Sequence, residues 1–338
     1  MENISVMIIA VLAAGLAFDF VNGFHDAANS IATIVATRVL KPVHAVLWAA
    51  FFNFAAVFLF GTGVAKTMGA GLIDLAGVTP LVVLCGLIGA VAWGLMTWWR
   101  RLPTSSSHAL LGGYAGAAMA HHALHYGWMR MRDPIIALGW IKVTAFIVIA
   151  PVMGLFLARI LMGGLLAAEK RYNLAPDHPA YKVMQLVSSA FLSLMHGSND
   201  AQKTAGILAG ALTSAGMFAS FTIPYWLLMV SYGTMGLGTL AGGWRIVRTM
   251  GQRLTRLQPQ GGVCAETAAA LSIFTATIFG LPVSTTHATT GAILGVGVAA
   301  DPEHVRWTVA RRIAWGWIFT IPAAAFMGGC VMIVATYI

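Results

Sequence analysis

Leu102-Pro103-Thr104-Ser105-Ser106-Ser107-His108-Ala109 returns 179 residues later as Leu281-Pro282-Val283-Ser284-Thr285-Thr286-His287-Ala288. The register holds forward through Gly112/Gly291 and Gly116/Gly295, and backward to Cys85/Cys264. A second matching pair stands nearer the start of each half. Asn22-Gly23-Phe24-His25-Asp26-Ala27-Ala28-Asn29-Ser30 parallels His196-Gly197-Ser198-Asn199-Asp200-Ala201-Gln202-Lys203-Thr204, 174 residues on. Two polar motifs in one order at nearly one offset mark an internal duplication. A chance match of Gly and Ala would not keep the polar positions in step.

Around these motifs the chain is apolar. Of its 338 residues 59% are hydrophobic and only 9% charged, with 37 glycines and a formal charge of +9; the mean hydropathy is +0.80. A soluble domain carries about 25% charged residues. This chain therefore cannot cover a water-facing globule, which excludes a soluble enzyme, a nucleic-acid binder and a disordered protein. Apolar segments fall at 4–36, 43–65, 80–99, 105–120, 134–162, 183–212, 220–242, 263–280, 283–300 and 313–336. Stretches of roughly 20 residues match a hydrocarbon layer of about 30 Å, whereas a transmembrane β-barrel would alternate polarity over segments of about 10 residues. The reading is an all-α integral membrane protein, with Met1–Ala17 part of the first span and no cleaved signal. Cys85, Cys264 and Cys330 lack metal or redox spacing and read as free thiols in apolar surroundings.

The duplication sets the domains: a first repeat over 1–162, a polar central connection over 163–182 that includes Asp177, and a second repeat over 183–338. In each repeat the helices flanking the Ser/Thr-His motif form a hairpin that returns the chain to its starting side. Each repeat then makes an odd number of crossings, so the two must be inverted. With the N-terminus outside, Arg38, Lys41, Arg159, Lys170, Arg171, Lys182, Arg245, Arg248, Arg253, Arg256, Arg306, Arg311 and Arg312 share one face. The other face receives Lys66, Arg130 and Arg132. The positive-inside rule then puts both termini outside the cytoplasm and the central connection within it.

Charge at membrane depth costs about 2.5–3.5 kcal/mol per residue on insertion scales, so its default reading is functional. Asp19, Asn22, Asp26 and Asn29 lie on one helix face, as do Ser189, Ser193, His196, Asp200 and Lys203. Gly23 and Gly197 sit inside these stripes and predict an interrupted first helix in each repeat, its freed carbonyls facing a cation. Asp26 and Asp200 supply hard oxygens for Na⁺, Mg²⁺ or Ca²⁺, or a proton site. The Ser/Thr-His motifs ask for an anion. Pro103 and Pro282 suit the first turn of a helix, whose free N–H groups and partial positive charge attract anions. Two such starts, each followed by hydroxyls, can wrap one tetrahedral oxyanion; a single motif would read equally well as a capping turn. Gly112, Gly116, Gly291 and Gly295 permit close helix packing behind them. Glu266 and Lys142 lie in apolar segments, and the sequence names no partner for either.

Gly23-Phe24-His25-Asp26-Ala27-Ala28-Asn29-Ser30, His196-Gly197-Ser198-Asn199-Asp200-Ala201-Gln202-Lys203 and both Pro-x-Ser-Ser/Thr-Ser/Thr-His stretches resemble the PiT family of inorganic phosphate transporters, in particular its bacterial low-affinity branch. The resemblance covers essentially the whole chain. It implies secondary symport of phosphate with a cation by alternating access, inverted repeats, hairpins meeting at the substrate, and a homodimer in the cell membrane. It places phosphate on Ser105, Ser106, Ser107, Ser284, Thr285 and Thr286, and the coupling cation near Asp26, Asn29, Asn199 and Asp200. The sequence departs from the Asn-Asp signature of sodium-coupled relatives: His25 precedes Asp26, and Gln202-Lys203 stands where the first repeat has Ala28-Asn29. An imidazole titrating near pH 6.5 and an ammonium beside a carboxylate favour H⁺ over Na⁺, or phosphate carried with a divalent metal. No resident cofactor and no nucleic-acid partner is implied.

Two other readings stay open on the residues alone. Sulfate has the size and geometry of phosphate. An intramembrane phosphatase or serine protease would use Ser107 and His108, but neighbours on a helix point about 100° apart, and neither Gly-x-Ser-x-Gly nor His-Glu-x-x-His is present.

Overall fold

The computed structural model describes residues 2–175 and 178–338; Asp177, within the expected central connection, and Met1 lie outside the described residues. Twelve α-helices are found among the described residues, six in each half and in matching order. The first half runs α1 (Glu2–Ala36), α2 (Pro42–Ala55), α3 (Gly63–Ala70), α4 (Pro80–Trp99), α5 (Ser106–Tyr126) and α6 (Ala137–Tyr172). The second runs α7 (Pro179–Ser214), α8 (Tyr225–Ala241), α9 (Trp244–Arg253), α10 (Pro259–Ile278), α11 (Thr285–Ala300) and α12 (Trp307–Tyr337).

Five helices, α1, α4, α6, α10 and α12, are long and apolar enough to cross a membrane. The apolar segment expected at 43–65 is not one straight span: its helices meet at 82° around the break before Gly63. α6 and α12 carry large apolar side chains outward, among them Ile141, Val148, Ile160, Ile318 and Phe326, as lipid contact requires. The polar stretch 163–182 is mostly helix, since α6 continues to Tyr172 and α7 begins at Pro179.

Gly23 and Gly197 do not break their helices. α1 is continuous over 35 residues and α7 over 36. Both glycines serve close approach instead. A Cβ on Gly23 would stand 2.0 Å from the Met235 carbonyl oxygen, and one on Gly197 would stand 2.2 Å from that of Asn53. In a bilayer a small residue lets two backbones touch, and packing outweighs the intrinsic helix penalty of glycine.

α1 and α7 cross in antiparallel fashion at the centre: Gly15 meets Leu208, and Asp26 meets His196 and Asp200. Each helix joins two apolar cores. Ile8–Phe18 of α1 and Ala201–Leu212 of α7 belong to a core shared with α4, α5 and α8. Ala28–Ile34 of α1 and Leu192–Met195 of α7 belong to another shared with α6, α9, α10 and α11. The polar stripes of the two helices lie where these cores adjoin. Each hairpin packs across the duplication, α5 on α12 and α11 on α6, with backbone contact at the expected glycines. A Cβ on Gly116 would fall 2.0 Å from the Ala325 carbonyl oxygen, and one on Gly295 would fall 2.2 Å from that of Leu155.

Candidate functional site

The two Ser/Thr-His motifs build the same local structure. α5 and α11 start at Ser106 and Thr285, so Pro103 and Pro282 lie in the extended approach and not in the first turn. Their fixed φ and missing N–H suit that extended run equally well. Ser105 and Ser284 are the N-caps: each Oγ accepts from the backbone N–H three residues on, His108 and His287, at 3.2 Å. That leaves the hydroxyls of Ser106, Ser107, Thr285 and Thr286 on the first turns, beside free N–H groups. Ser107 donates to the Val283 carbonyl oxygen at 3.1 Å, and Thr286 donates to that of Thr104 at 3.3 Å. The tips therefore touch each other directly, one from each half.

α1 and α7 grip these tips. Asn29 donates to Thr285 and Thr286 at 3.1 and 3.0 Å. Thr286 shares its one proton between the Thr104 carbonyl and Asp26 Oδ1, at 3.2 Å, while Thr285 donates to Asp200 at 3.1 Å. Lys203 Nζ donates to Asp200, to Ser107 and, at 2.6 Å, to the Val283 carbonyl oxygen. The ammonium thus ties the second acid to the first hairpin. Every one of these side chains is buried; Ser106, the most accessible, is 8% exposed. A carboxylate and an ammonium so far from water hold their charge only through pairs of this kind.

His25 and Asn199 occupy equivalent places but do different work. His25 Nδ1 lies 3.2 Å from Asp26 Oδ1, and its Nε2 lies 3.5 Å from the Thr97 hydroxyl. Asn199 clamps the second hairpin, donating to Thr277 and the Leu281 carbonyl and accepting from Val283 N–H at 3.1 Å. All of its donors and its acceptor serve that loop.

His196, one turn before Asp200, sits within the centre, although the sequence alone places it on the polar stripe without giving it a role at the cation. Its Nε2 is 3.2 Å from Asp200 Oδ2 and its Nδ1 is 3.1 Å from Asn53 Oδ1. One ligand atom each from Asp26, His196 and Asp200 lies within 4.8 Å of the others, all three residues buried. The two carboxylates and an imidazole can hold one small cation. The signal was present in the spacing of the α7 stripe, but only the crossing of α1 brings Asp26 into range.

Glu266 gains the partners that the sequence could not name. It accepts from Thr33 at 2.6 Å, from Gln185 at 2.9 Å and from Ser188. Lys142 lies on the exposed outer side of α6. Behind the tips, the rings of His108 and His287 meet edge to face at 4.6 Å, and His287 stacks on Trp317. Cys85, Cys264 and Cys330 are free thiols.

Comparison with known proteins falls into line with this geometry. The model of the phosphate transporter family matches twice, over residues 22–174 and 165–328. A protein of Rhizobium meliloti named "Probable low-affinity inorganic phosphate transporter" is 47% identical over 322 residues, which is 95% of this chain and 94% of that protein. A Bacillus subtilis protein of the same name is 40% identical, covering 97% of each chain. Among solved structures, one titled "The sodium-dependent phosphate transporter" superposes with a TM-score of 0.84 over 98% of this chain and all of its own, at 22% identity.

Proposed function

The chain belongs to the phosphate transporter family, and from that premise we propose that it imports inorganic phosphate by secondary active symport, with H⁺ favoured over Na⁺ as the coupling cation. The observation that carries the reading is the meeting of both hydroxyl-bearing helix tips with both acids: Thr286 on Asp26, Thr285 on Asp200, and Lys203 joining Asp200 to Ser107.

Phosphate entering between the tips must shed much of its hydration. The free N–H groups of α5 and α11, each helix start carrying about half a positive charge, replace that water. The hydroxyls of Thr285 and Thr286 turn their protons from the acids to the anion, that of Ser107 turns from the Val283 carbonyl, Ser106 adds a further hydroxyl, and the Lys203 ammonium supplies a full positive charge. Asp26 and Asp200 then take the travelling cation, with His25 and His196 as proton acceptors beside them. Occupation of both sites brings the opposite charges together, which lets the loaded centre turn from one side of the membrane to the other. A divalent metal bridging phosphate to Asp26, His196 and Asp200 would use the same donors. The repeats insert in opposite orientation, both termini lie outside the cytoplasm, and the chain works as a homodimer.

Proteoliposome uptake of phosphate under imposed H⁺, Na⁺ and Mg²⁺ gradients, each in turn, tests this. Uptake that follows the H⁺ gradient and is not displaced by sulfate supports it. Asp26→Asn and Asp200→Asn should each abolish uptake while leaving the protein monodisperse; normal uptake in both would refute the assignment. The alternative of sulfate as substrate is settled by the same competition. Hydrolysis, the remaining alternative, would require release of phosphate from a lipid phosphate by the purified protein.

A further inference from the structure

Seven residues before Asp26, and about 10 Å along the same helix, Asp19 is fully buried, and among the described residues neither carboxylate oxygen has a hydrogen bond of full geometry. None of the ion pairs among the described residues involves it. The hydroxyls of Thr204 on α7 and Ser231 on α8 stand beside it. Both lie close enough to act on its charge as weak donors, yet neither completes a hydrogen bond of full geometry, and each is otherwise buried without a partner. Asn22, one turn on, leaves its Oδ1 unpartnered as well. A buried carboxylate among orphaned oxygens is an unstable arrangement unless something positive completes it.

The charges that face it do not supply that completion. α7 presents Asp200, already paired with Lys203. α4 and α8 bring no charged side chain, and α2 only His44 at its distant start. α9, α10 and α11 meet α1 toward its other end, at Ala32, Thr33 and Asn29.

The duplication adds an independent observation. The residues equivalent to Asp19 and Thr204, 174 positions away, are Ser193 and Ser30. Both are buried and both hydroxyls are unpartnered. The duplication thus leaves buried, unpartnered hydroxyls at both matching positions, where the first pair has an acid.

We infer that Asp19, with Thr204 and Ser231, forms a second site for a small monovalent cation, a proton on the carboxylate or a sodium ion among its oxygens, distinct from the Asp26–His196–Asp200 centre. This rests on the transport reading above and deepens it: the anion is coupled to a cation held on an acid that the duplicated half lacks. Hard oxygen donors select such ions over soft metals. The matching positions, Ser193 and Ser30, carry no acid.

The test uses the full-length protein in detergent and in liposomes. In detergent, the unfolding temperature of the wild type is measured in sodium against choline chloride at constant ionic strength, and at acid against alkaline pH. Wild type should be stabilised by one of these cations, and Asp19→Asn should lose that part of the shift while phosphate still stabilises it. In liposomes, Asp19→Asn should lower gradient-driven net uptake about tenfold or more, with phosphate–phosphate exchange kept within about twofold. Ser231→Ala should weaken the same cation dependence without removing it, and serves if Asp19→Asn does not fold. The arm that responds, pH or sodium, names the ion. Wild-type cation dependence in the variants, or loss of exchange and net uptake together, overturns the inference. Absence of phosphate exchange in the wild type would sink the transport reading alone, since cation-dependent unfolding judges the site without any anion.

Discussion

The two halves of this chain agree along their hairpins and differ along their two central helices. Ser105 and Ser284 cap their helices at the same distance, and Gly116 and Gly295 admit α12 and α6 to nearly the same contact. Along α1 and α7 the equivalence fails at chosen points. Asn29 corresponds to Lys203, His25 to Asn199 and Asp19 to Ser193. A tetrahedral anion clasped from two sides rewards symmetry, because each side meets similar oxygens. Coupling rewards asymmetry, because a proton or cation must be held in one definite place. The duplicated scaffold therefore keeps its hairpins alike while its two central helices have diverged.

The largest effect should come from the most unequal pair. Lys203→Asn makes α7 resemble α1, but it leaves Asp200 buried with its strongest partner gone. Losing one member of a buried ion pair costs about 3–5 kcal/mol, so a marked fall in unfolding temperature together with loss of phosphate uptake is expected. Asn29→Ala, at the equivalent place, removes only neutral hydrogen bonds, at about 1 kcal/mol each. If Lys203→Asn proved no worse than Asn29→Ala in thermal unfolding, the division of labour between α1 and α7 would fall.

Packing comes next, and here the halves should behave alike. Gly116→Ala and Gly295→Ala each force a Cβ against a backbone carbonyl, and overpacking of this kind costs about 1–3 kcal/mol. Matching losses in unfolding temperature would sharpen the symmetry of the hairpins; tolerance on one side only would break it. Glu266 has Leu87 as its equivalent, so its network exists once. Glu266→Leu strands Thr33, Gln185 and Ser188 at about 1–3 kcal/mol for unsatisfied buried groups, whereas Glu266→Gln should be milder, and a comparison of their unfolding temperatures separates the two. The smallest change is Ser105→Ala or Ser284→Ala, a lost cap worth about 0.5–2 kcal/mol. It should be equal in both halves and leave the apparent phosphate affinity within about twofold.

Much of this was legible in the chain itself. The offset of the motifs exposed the duplication, and the polar stripes marked α1 and α7 as central. The glycines behind the hairpins announced close packing, which the Gly116 and Gly295 contacts bear out. Local reasoning failed where a local signal had a distant cause. Gly23 and Gly197 looked like helix breaks because the carbonyls of Met235 and Asn53, which need the missing Cβ, come from other helices. Pro103 and Pro282 looked like helix starts, but the caps at Ser105 and Ser284 set the first turns later.

The residue order alone determined an all-helical membrane chain, its repeated motifs and the kinds of polar groups it carries at membrane depth. Those properties follow from composition, periodicity and repetition, which need no knowledge of what lies across a gap. Only the tertiary structure decided which donors meet: that Thr286 reaches Asp26, that His196 joins the two acids, that Glu266 finds three partners, and that Asp19 finds no ion pair among the described residues. Such contacts depend on how α1 and α7 cross and on how each hairpin packs against the opposite half, and distances of a few ångströms across a fold are set by the packing of the whole.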